Sequence, residues 1–139
     1  MSSNLQICAI PNDLKARLRE FRFSKKENMN AIIIKVDREA QTLKIDEEMD
    51  DCSLEEICQE LPEQQPRYIL LSYTKKMPDG RLTFPMCLIF YSPLGCLPDL
   101  QMLYAGSRNS LVNECELTKN FEVRDIEELT QEYIDAKCT

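Results

Sequence analysis

Histidine is absent from the 139-residue sequence, and its absence excludes several kinds of chemistry. Ser-His and Cys-His nucleophile arrangements need an imidazole base, and histidine metal sites need its ring nitrogens. A carboxylate enzyme remains open, although it would lack the commonest general base. The absence favours a binding protein over an enzyme, and we expect no catalytic residue, metal or cofactor.

Long apolar runs and flexible linkers are missing as well. No run approaches the roughly 20 apolar residues that span a bilayer. Residues 1–7 lack the basic start and apolar stretch of a secretory signal. Only three glycines occur, so little of the chain can serve as a linker. At this length we expect one domain over residues 1–139. Because a spanning run and a secretory signal are both missing, we expect the protein in the cytoplasm and without membrane contact.

Cysteine is plentiful but follows no pattern. The seven cysteines are irregularly spaced, without a Cys-x-x-Cys pair, so they indicate free thiols in a reducing compartment. A thiol or carboxylate enzyme is the rival interpretation. A reactive thiol, however, needs a cationic or helix-terminal setting. The acidic run at 46–51 also lacks the Asp-x-Asp-x-Asp-Gly pattern of a calcium loop.

Charge is unevenly distributed along the chain. The net charge is −7, yet residues 14–27 hold six basic and two acidic side chains, so this segment carries +4 and the remainder −11. Such asymmetry is typical of a face that meets an acidic partner, and a solvated helix face is the simpler alternative. Nucleic acid is disfavoured, because the chain is acidic overall and only Phe21 and Phe23 lie among the cations.

The N-terminal half predicts a helix, a hairpin and a second helix. A capping residue at 12 or 13 precedes three apolar residues on one helix face. They are Leu14, Leu18 and Phe21. Residues 31–36 are a short β-branched apolar run and residues 41–45 alternate in polarity, so together they predict an antiparallel hairpin. Ser53 and Glu56 form a capping box, and the helix they open ends at Leu61 because a proline follows.

The C-terminal half predicts a sheet between two helical layers. The runs 67–75 and 82–91 are apolar on both faces and joined by Asp-Gly, a strong hairpin signal, although Pro85 suggests a bulge or an edge start. A helix over 98–113 and a strand at 121–123 form a parallel crossover. Asp125 and Glu128 cap a final helix with Ile126, Leu129 and Tyr133 inward. The order indicates an α/β (α+β) fold with a mixed five-stranded sheet flanked by helices on both faces.

The helix predicted at 98–113 has two contrasting faces. Five side chains fall in one sector about 100° wide, which we expect to face the sheet. They are Leu100, Leu103, Tyr104, Ser107 and Leu111. The opposite side is almost free of charge and carries Met102, a deformable side chain suited to binding surfaces. The alternative is that Met102 packs beneath a loop of its own chain.

Residues 92–109 resemble the long helix of the actin-depolymerising-factor homology family (ADF-H, or cofilin, family). They read SPLGCLPDLQMLYAGSRN, and segments 21–23, 60–67, 79–81 and 116–119 are similar too. The resemblance implies a protein that performs no chemistry and binds actin or actin-related proteins through this helix and its N-terminus. The most similar branch of the family acts on the actin-related protein 2/3 complex, inhibiting nucleation and removing branches at the actin-rich cell cortex.

This resemblance, together with the charge pattern, predicts four groups of partner-binding residues. They are Ser2, Ser3, Asn4 and Leu5 at the N-terminus, Arg17, Arg19, Arg22 and Lys25 in the basic segment, Lys75, Lys76, Asp79 and Arg81 at the hairpin tip, and Gln101, Met102, Ala105, Arg108 and Asn109 on the long helix. The hairpin tip is expected to touch a second surface, such as the first actin of the daughter filament.

One departure from the family pattern concerns the choice of partner. Where the cofilins read much like Lys-x-Lys-Met-Ile-Tyr-Ala, this chain has Asp99 and Gln101 in place of the two lysines. Replacing two cations, one of them by an anion, changes the free energy of binding to an acidic partner by on the order of several kcal/mol. A difference of that size is enough to change which partner is bound. The sequence therefore favours an actin-related partner, and a cofilin-like filament-binding protein is the alternative.

Overall fold

The computed structural model describes residues 8–23, 28–117 and 119–137, which form one mixed sheet between two layers of helices. The helices are α1 (Asn12–Phe23), α2 (Leu54–Glu60), α3 (Pro98–Cys115) and α4 (Gln131–Lys137). The strands are β1 (Met29–Asp37), β2 (Thr42–Cys52), β3 (Arg67–Ser72), β4 (Lys75–Lys76), β5 (Leu82–Thr83), β6 (Met86–Tyr91) and β7 (Asn120–Val123). The predicted fold class is confirmed, and the predicted helices and main-sheet strands occur in the predicted order; the short strands β4 and β5 are additional.

Five strands form the main sheet in the order β2-β1-β3-β6-β7, and β4 and β5 pair separately as a short ribbon. All neighbours in the main sheet are antiparallel except β6 and β7, which are parallel. The crossover predicted through the long helix is therefore present. Because α3 starts where β6 ends, it begins at the end of the sheet where Arg67 pairs with Tyr91.

The alternating side chains of the central strands supply two cores. Ile32, Ile34 and Tyr68 lie on the side covered by α1 and α3, together with Leu14, Leu18 and Phe21 of α1. Ile33 and Ile69 lie on the other side, which α2 and α4 cover. Every residue of β3 is buried, as expected for a strand between two helical layers. The layering puts α1 and α3 side by side.

The predicted hairpin over 67–75 and 82–91 is not continuous. The main-sheet strands end at Ser72 and begin again at Met86, and β4 and β5 form a separate pair beyond them. Proline has no backbone N–H to donate, so Pro85 contributes only its carbonyl, which accepts from the Tyr73 amide at 3.2 Å. The disturbance expected from this proline therefore takes the form of an interruption between the β3–β6 ladder and the β4–β5 ladder.

The final predicted helix is two elements. Asp125 and Glu128 do form a capping box, but it closes only the 3-10 turn Ile126–Glu128. The α4 helix follows separately, and the Thr130 hydroxyl accepts from the Tyr133 amide at its first turn. Leu129 is buried as predicted, whereas the fully buried residue of α4 is Ile134. Thr130 is therefore the start of a second helical element. The prediction missed it because the capping box of Asp125 and Glu128 already supplied a helix start.

The capping box of α2 has the predicted geometry. The Ser53 hydroxyl accepts from the Glu56 amide at 3.1 Å, and the Glu56 carboxylate accepts from the Ser53 amide at 3.0 Å. We expect Ser53→Ala to lower the free energy of unfolding by about 1 kcal/mol, because it leaves a helix-end amide without its acceptor. Urea unfolding followed by circular dichroism measures the change. Ser53→Asp retains an acceptor and is the control; equal losses in both variants would contradict the capping role.

Candidate partner-binding surface

The outward face of α3 is an uncharged stripe, as the helical wheel predicts. Met102 is 72% exposed, and Ala105, Asn109 and Asn113 are exposed on the same side. On the inward side, Leu103, Tyr104, Ser107 and Leu111 are all buried. Met102 therefore does not pack beneath a loop of its own chain. We call the exposed set Met102, Ala105, Asn109 and Asn113 the α3 stripe.

A buried polar network fixes the position of α3 on the sheet. The Tyr104 hydroxyl accepts from the Val36 amide at 2.9 Å and from Arg67 Nη1 at 3.4 Å, and the Tyr68 hydroxyl donates to the Tyr104 carbonyl. Arg67, itself buried, also forms an ion pair with Asp46 at 3.1 Å. Burial raises the pKa of Tyr104, so its hydroxyl keeps its proton. The stripe is thus displayed on a helix tied to two strands, β1 and β3.

A second anchor lies one turn further along α3. The Ser107 hydroxyl accepts from the Cys8 amide at 2.9 Å and donates to the Leu103 carbonyl at 3.0 Å. The segment containing Cys8 also pairs with the start of β2, because the Leu43 amide donates to the Ala9 carbonyl at 2.9 Å. Residues 8 and 9 are therefore held between α3 and the edge strand β2.

Two of the predicted helix residues are engaged within their own chain. Gln101 Nε2 donates to the hydroxyl of buried Ser92 at 3.0 Å. Arg108 Nη2 donates to Asn120 Oδ1 at 2.8 Å, and its guanidinium lies 5.6 Å from the centre of the Phe90 ring. Both side chains flank the α3 stripe. Their polar ends hold α3 to the sheet.

The basic residues of α1 are largely paired with acids of the same chain. Arg17 Nε donates to Glu48 at 2.8 Å, and Arg22 forms an ion pair with Glu116. The Arg22 guanidinium lowers the pKa of the Glu116 carboxyl through this hydrogen bond. Among the predicted contacts on α1, Arg19 is exposed, and it forms no ion pair with an acid of the described residues. The partners in these two pairs lie 31 and 94 residues apart in the sequence. A count of charges within residues 14–27 therefore could not reveal them.

A polar groove of about 310 Å³ separates α1 from the C-terminal end of α3. Lys15, Arg19 and Arg22 line one wall, and Glu114 and Glu116 line the other. The Lys15 ammonium lies 3.8 Å from Glu114, so the groove is crossed by ion pairs. These pairs stabilise the packing of α1 on α3.

The short ribbon of β4 and β5 carries the third predicted group. Its turn is stabilised by Asp79, whose carboxylate accepts from the Arg81 amide at 3.0 Å and from Arg81 Nε at 2.7 Å. Gly80 has φ +94°, a conformation that glycine adopts without strain. Lys76 and Arg81 are exposed, and Lys75 is half-buried. The ribbon joins β3 to β6 at the end of the sheet opposite the start of α3.

The predicted site residues therefore form separate surfaces. Met102 lies near the start of α3, at one end of the sheet, and the ribbon lies at the other end. The basic side chains of α1 lie beside α3 in the same layer. The remaining predicted contacts, Ser2, Ser3, Asn4, Leu5 and Lys25, lie outside the described residues.

Two exposed leucines next to the stripe were not predicted as site residues. Leu94 is 72% exposed and Leu97 is 65% exposed, both in the loop that precedes α3. Periodicity could not identify them, because they belong to no helix or strand. The available signal was their position between Pro93 and Pro98, in a loop that would normally be polar.

Four cysteine thiols of the described residues are held in their protonated form. Burial raises the pKa of the Cys8, Cys52 and Cys58 thiols and raises that of Cys115 to about 11, opposite to the change that creates a nucleophilic thiolate. No group of three acids or cysteines within residues 8–23, 28–117 and 119–137 could hold a metal ion. In the same part of the chain no helix has the length and apolarity needed to cross a bilayer.

The five-stranded sheet order and the exposed stripe of α3 define a fold that presents one helix face to solvent. The family model described as cofilin/tropomyosin-type actin-binding protein matches residues 7–139. Human glia maturation factor beta is 48% identical over 99% of this chain and 96% of its own length. The chain thus belongs to the cofilin-type actin-binding family and, within it, to the glia maturation factors.

Other relatives support the same assignment. Drosophila melanogaster glia maturation factor is 46% identical, with 99% of both chains covered. The solution structure of glia maturation factor from Caenorhabditis elegans is 54% identical, with a TM-score of 0.84 and 99% of both chains covered. Plasmodium berghei actin depolymerization factor 2 is 24% identical with a TM-score of 0.79 over 99% of both chains, a similarity of fold alone. Membership of this family makes the chain a regulator of the actin cytoskeleton.

Proposed function

We propose that the protein binds the actin-related protein 2/3 complex through the α3 stripe, inhibits nucleation by the complex and promotes debranching. The observation that carries the proposal is the uncharged, exposed stripe around Met102 on a firmly anchored helix. An amphipathic helix presenting such a face suits a groove on a partner. The protein would act in the cytoplasm, at the actin-rich cell cortex.

Binding alone is sufficient for this activity. A ligand that prefers one of two states shifts the equilibrium toward that state by its difference in affinity. We propose that the α3 stripe docks on an actin-related subunit, while the ribbon touches a second surface such as the first actin of the daughter filament. Because Met102, at the start of the stripe, and the ribbon lie at opposite ends of the sheet, their simultaneous contact would favour a geometry incompatible with the branch.

The alternative is a cofilin-like protein that binds and severs actin filaments. Family membership supports it, whereas Asp99 and Gln101 oppose it, because they replace the two cations of the cofilin pattern. Binding to purified complex and to actin filaments, measured side by side, distinguishes the two functions. We expect the protein to bind the complex and to remain in the supernatant when filaments are sedimented at moderate salt. Cosedimentation with filaments in the absence of complex binding would support the alternative.

The ribbon supplies a prediction of its own. We expect Lys76→Ala with Arg81→Ala to leave affinity for the free complex within about twofold, because exposed charges at a rim contribute little to affinity. The same variant should slow debranching several-fold, which imaging of single branched filaments measures. Arg38→Ala with Lys44→Ala removes two exposed cations, one from the turn between β1 and β2 and one from the start of β2, and is the matched control. Equal effects on affinity and debranching would contradict a separate second contact.

A further inference from the structure

Met102 is the methionine that the fold leaves most open to solvent. Its side chain is 72% exposed, whereas the other four methionines of the described residues are half-buried. Three of those four, Met29, Met49 and Met86, pack against the two cores. The fourth, Met77, lies in the turn of the ribbon, where its amide and its carbonyl both form backbone hydrogen bonds. An oxidant in solution therefore reaches the sulfur of Met102 more readily than the other four.

The neighbours of Met102 along α3 are short. A methionine on a helix lies over the turn that precedes it, and here that turn supplies Pro98 and Asp99, which are both exposed. One turn further on, the neighbours are Ala105 and Gly106, which have a single methyl group and no side chain. The thioether sulfur of Met102 is therefore accessible from solvent on both sides.

Most thiols of the described chain compete poorly with Met102 for an oxidant. Cys8, Cys87 and Cys115 are buried. Burial also raises the pKa of the half-buried thiols of Cys52 and Cys58, so these groups keep their protons. Because the thiolate is the form of cysteine that oxidants attack, a protonated thiol reacts slowly. The exposed thioether is thus a favoured target for oxidation in this part of the chain.

We infer that Met102 is a redox modification site, and that its conversion to the sulfoxide by a hydroperoxide releases the protein from the actin-related protein 2/3 complex. The O–O bond of the hydroperoxide breaks, one oxygen adds to the sulfur, which is oxidised by two electrons, and the remainder leaves as an alcohol or as water. Methionine sulfoxide reductases restore the thioether. In that step a dithiol is oxidised to a disulfide and water is released. The inference rests on the proposed function and adds its regulation.

The sulfoxide opposes binding without unfolding the protein. Met102 is solvated in the free protein, so the added oxygen is hydrated and the fold is not strained. In the complex the same side chain would be enclosed, and a polar S=O group buried without a donor carries a desolvation penalty. Oxidation also replaces a flexible apolar side chain with a polar one, which disrupts interfaces that use methionine. Affinity therefore falls while the melting temperature stays nearly constant.

The full chain is treated with tert-butyl hydroperoxide and then measured in three ways. Peptide mass mapping should show that Met102 gains an oxygen several-fold faster than the other methionines of the described residues. Titration with purified complex should show that the affinity falls about tenfold or more. Dithiothreitol reverses disulfides and sulfenic acids, including any at the half-buried Cys96, and should leave the loss in place. The methionine sulfoxide reductases should then restore the affinity.

Two variants separate Met102 from the rest of the chain. Met102→Leu has an apolar side chain of similar volume without a sulfur atom. We expect treatment to leave the affinity of this variant at its own untreated value. Met77→Leu removes a methionine from the ribbon and is the matched control, which should lose affinity on treatment as the wild type does. Thermal melts establish that each protein is folded before and after treatment.

Three results would overturn the inference. The first is faster oxidation of another described methionine, which removes the modification site. The second is an equal loss of affinity in treated Met102→Leu, or recovery of the wild type with dithiothreitol alone, which assigns the effect to another residue. In both, the untreated wild-type protein binds, so the proposed function stands. The third is no binding by the untreated wild type, which overturns the proposed function together with its regulation.

Discussion

Tyr104→Ala is expected to lower the free energy of unfolding by about 3–5 kcal/mol, the range found when a large aromatic side chain is removed from a core. Tyr104 is 2% exposed, and its ring lies 5.3 Å from that of Tyr68. The substitution would leave a cavity between α3 and the sheet, and the Val36 amide and Arg67 would lose an acceptor. Urea unfolding followed by circular dichroism measures the loss.

The hydroxyl of Tyr104 can be tested separately from its ring. Tyr104→Phe keeps the ring and removes the acceptor, and we expect a loss of about 1–3 kcal/mol because buried polar groups are left unsatisfied. Tyr133→Phe is the matched control, since the half-buried Tyr133 contacts Phe121 and Lys137 through its ring. That variant should stay within about 0.5 kcal/mol of the wild type. Equal losses at the two positions would contradict the network that fixes α3.

Met102→Ala with Asn109→Ala is expected to weaken binding to the actin-related protein 2/3 complex at least tenfold. A few side chains at the centre of an interface supply most of its energy, and Met102 is the most exposed large side chain of the α3 stripe. Stability should change by no more than about 0.5 kcal/mol, because both side chains are solvated in the free protein. Pull-down and titration with purified complex measure the affinity, and urea unfolding measures the stability.

The matched control removes one apolar and one amide side chain from other surfaces. Leu82→Ala with Gln59→Ala does so on β5 and α2, where both residues are exposed. We expect it to bind the purified complex with wild-type affinity, because the ribbon that contains Leu82 is proposed to contact the daughter filament and not the free complex. If the folded Met102 and Asn109 variant binds as tightly as this control, the α3 stripe is not part of the interface.

Features encoded by neighbouring residues could be predicted from the sequence. The wheel of α3 separated buried Tyr104 from exposed Met102, because a helix repeats every 3.6 residues whatever it packs against. The α2 capping box was predictable for the same reason, since Ser53 and Glu56 satisfy each other's amides within one turn. The crossover from β6 to β7 followed from the order of elements alone.

Features that depend on distant residues could not be predicted. The charge of residues 14–27 indicated a basic face, but Arg22 meets Glu116 from the far end of α3. Likewise, nothing near Arg67 in the sequence indicates that it would be buried beneath Tyr104 and paired with Asp46. Such pairs form only when the tertiary fold brings their elements together. The exposure of Leu97 was missed because the loop has no period from which a direction could be inferred.

The distance between the two ends of the molecule has a consequence for how it would act. The 18 residues of α3 make a rod about 27 Å long, and the network around Tyr104 holds its first half rigidly to the sheet. Met102 and the ribbon are therefore a fixed span apart. Joined contacts gain effective concentration only when their spacing matches that of the two targets. On the proposed function, avidity would favour the arrangement of neighbouring subunits whose spacing matches the two contacts. The strength of binding would then depend on the geometry of the filament.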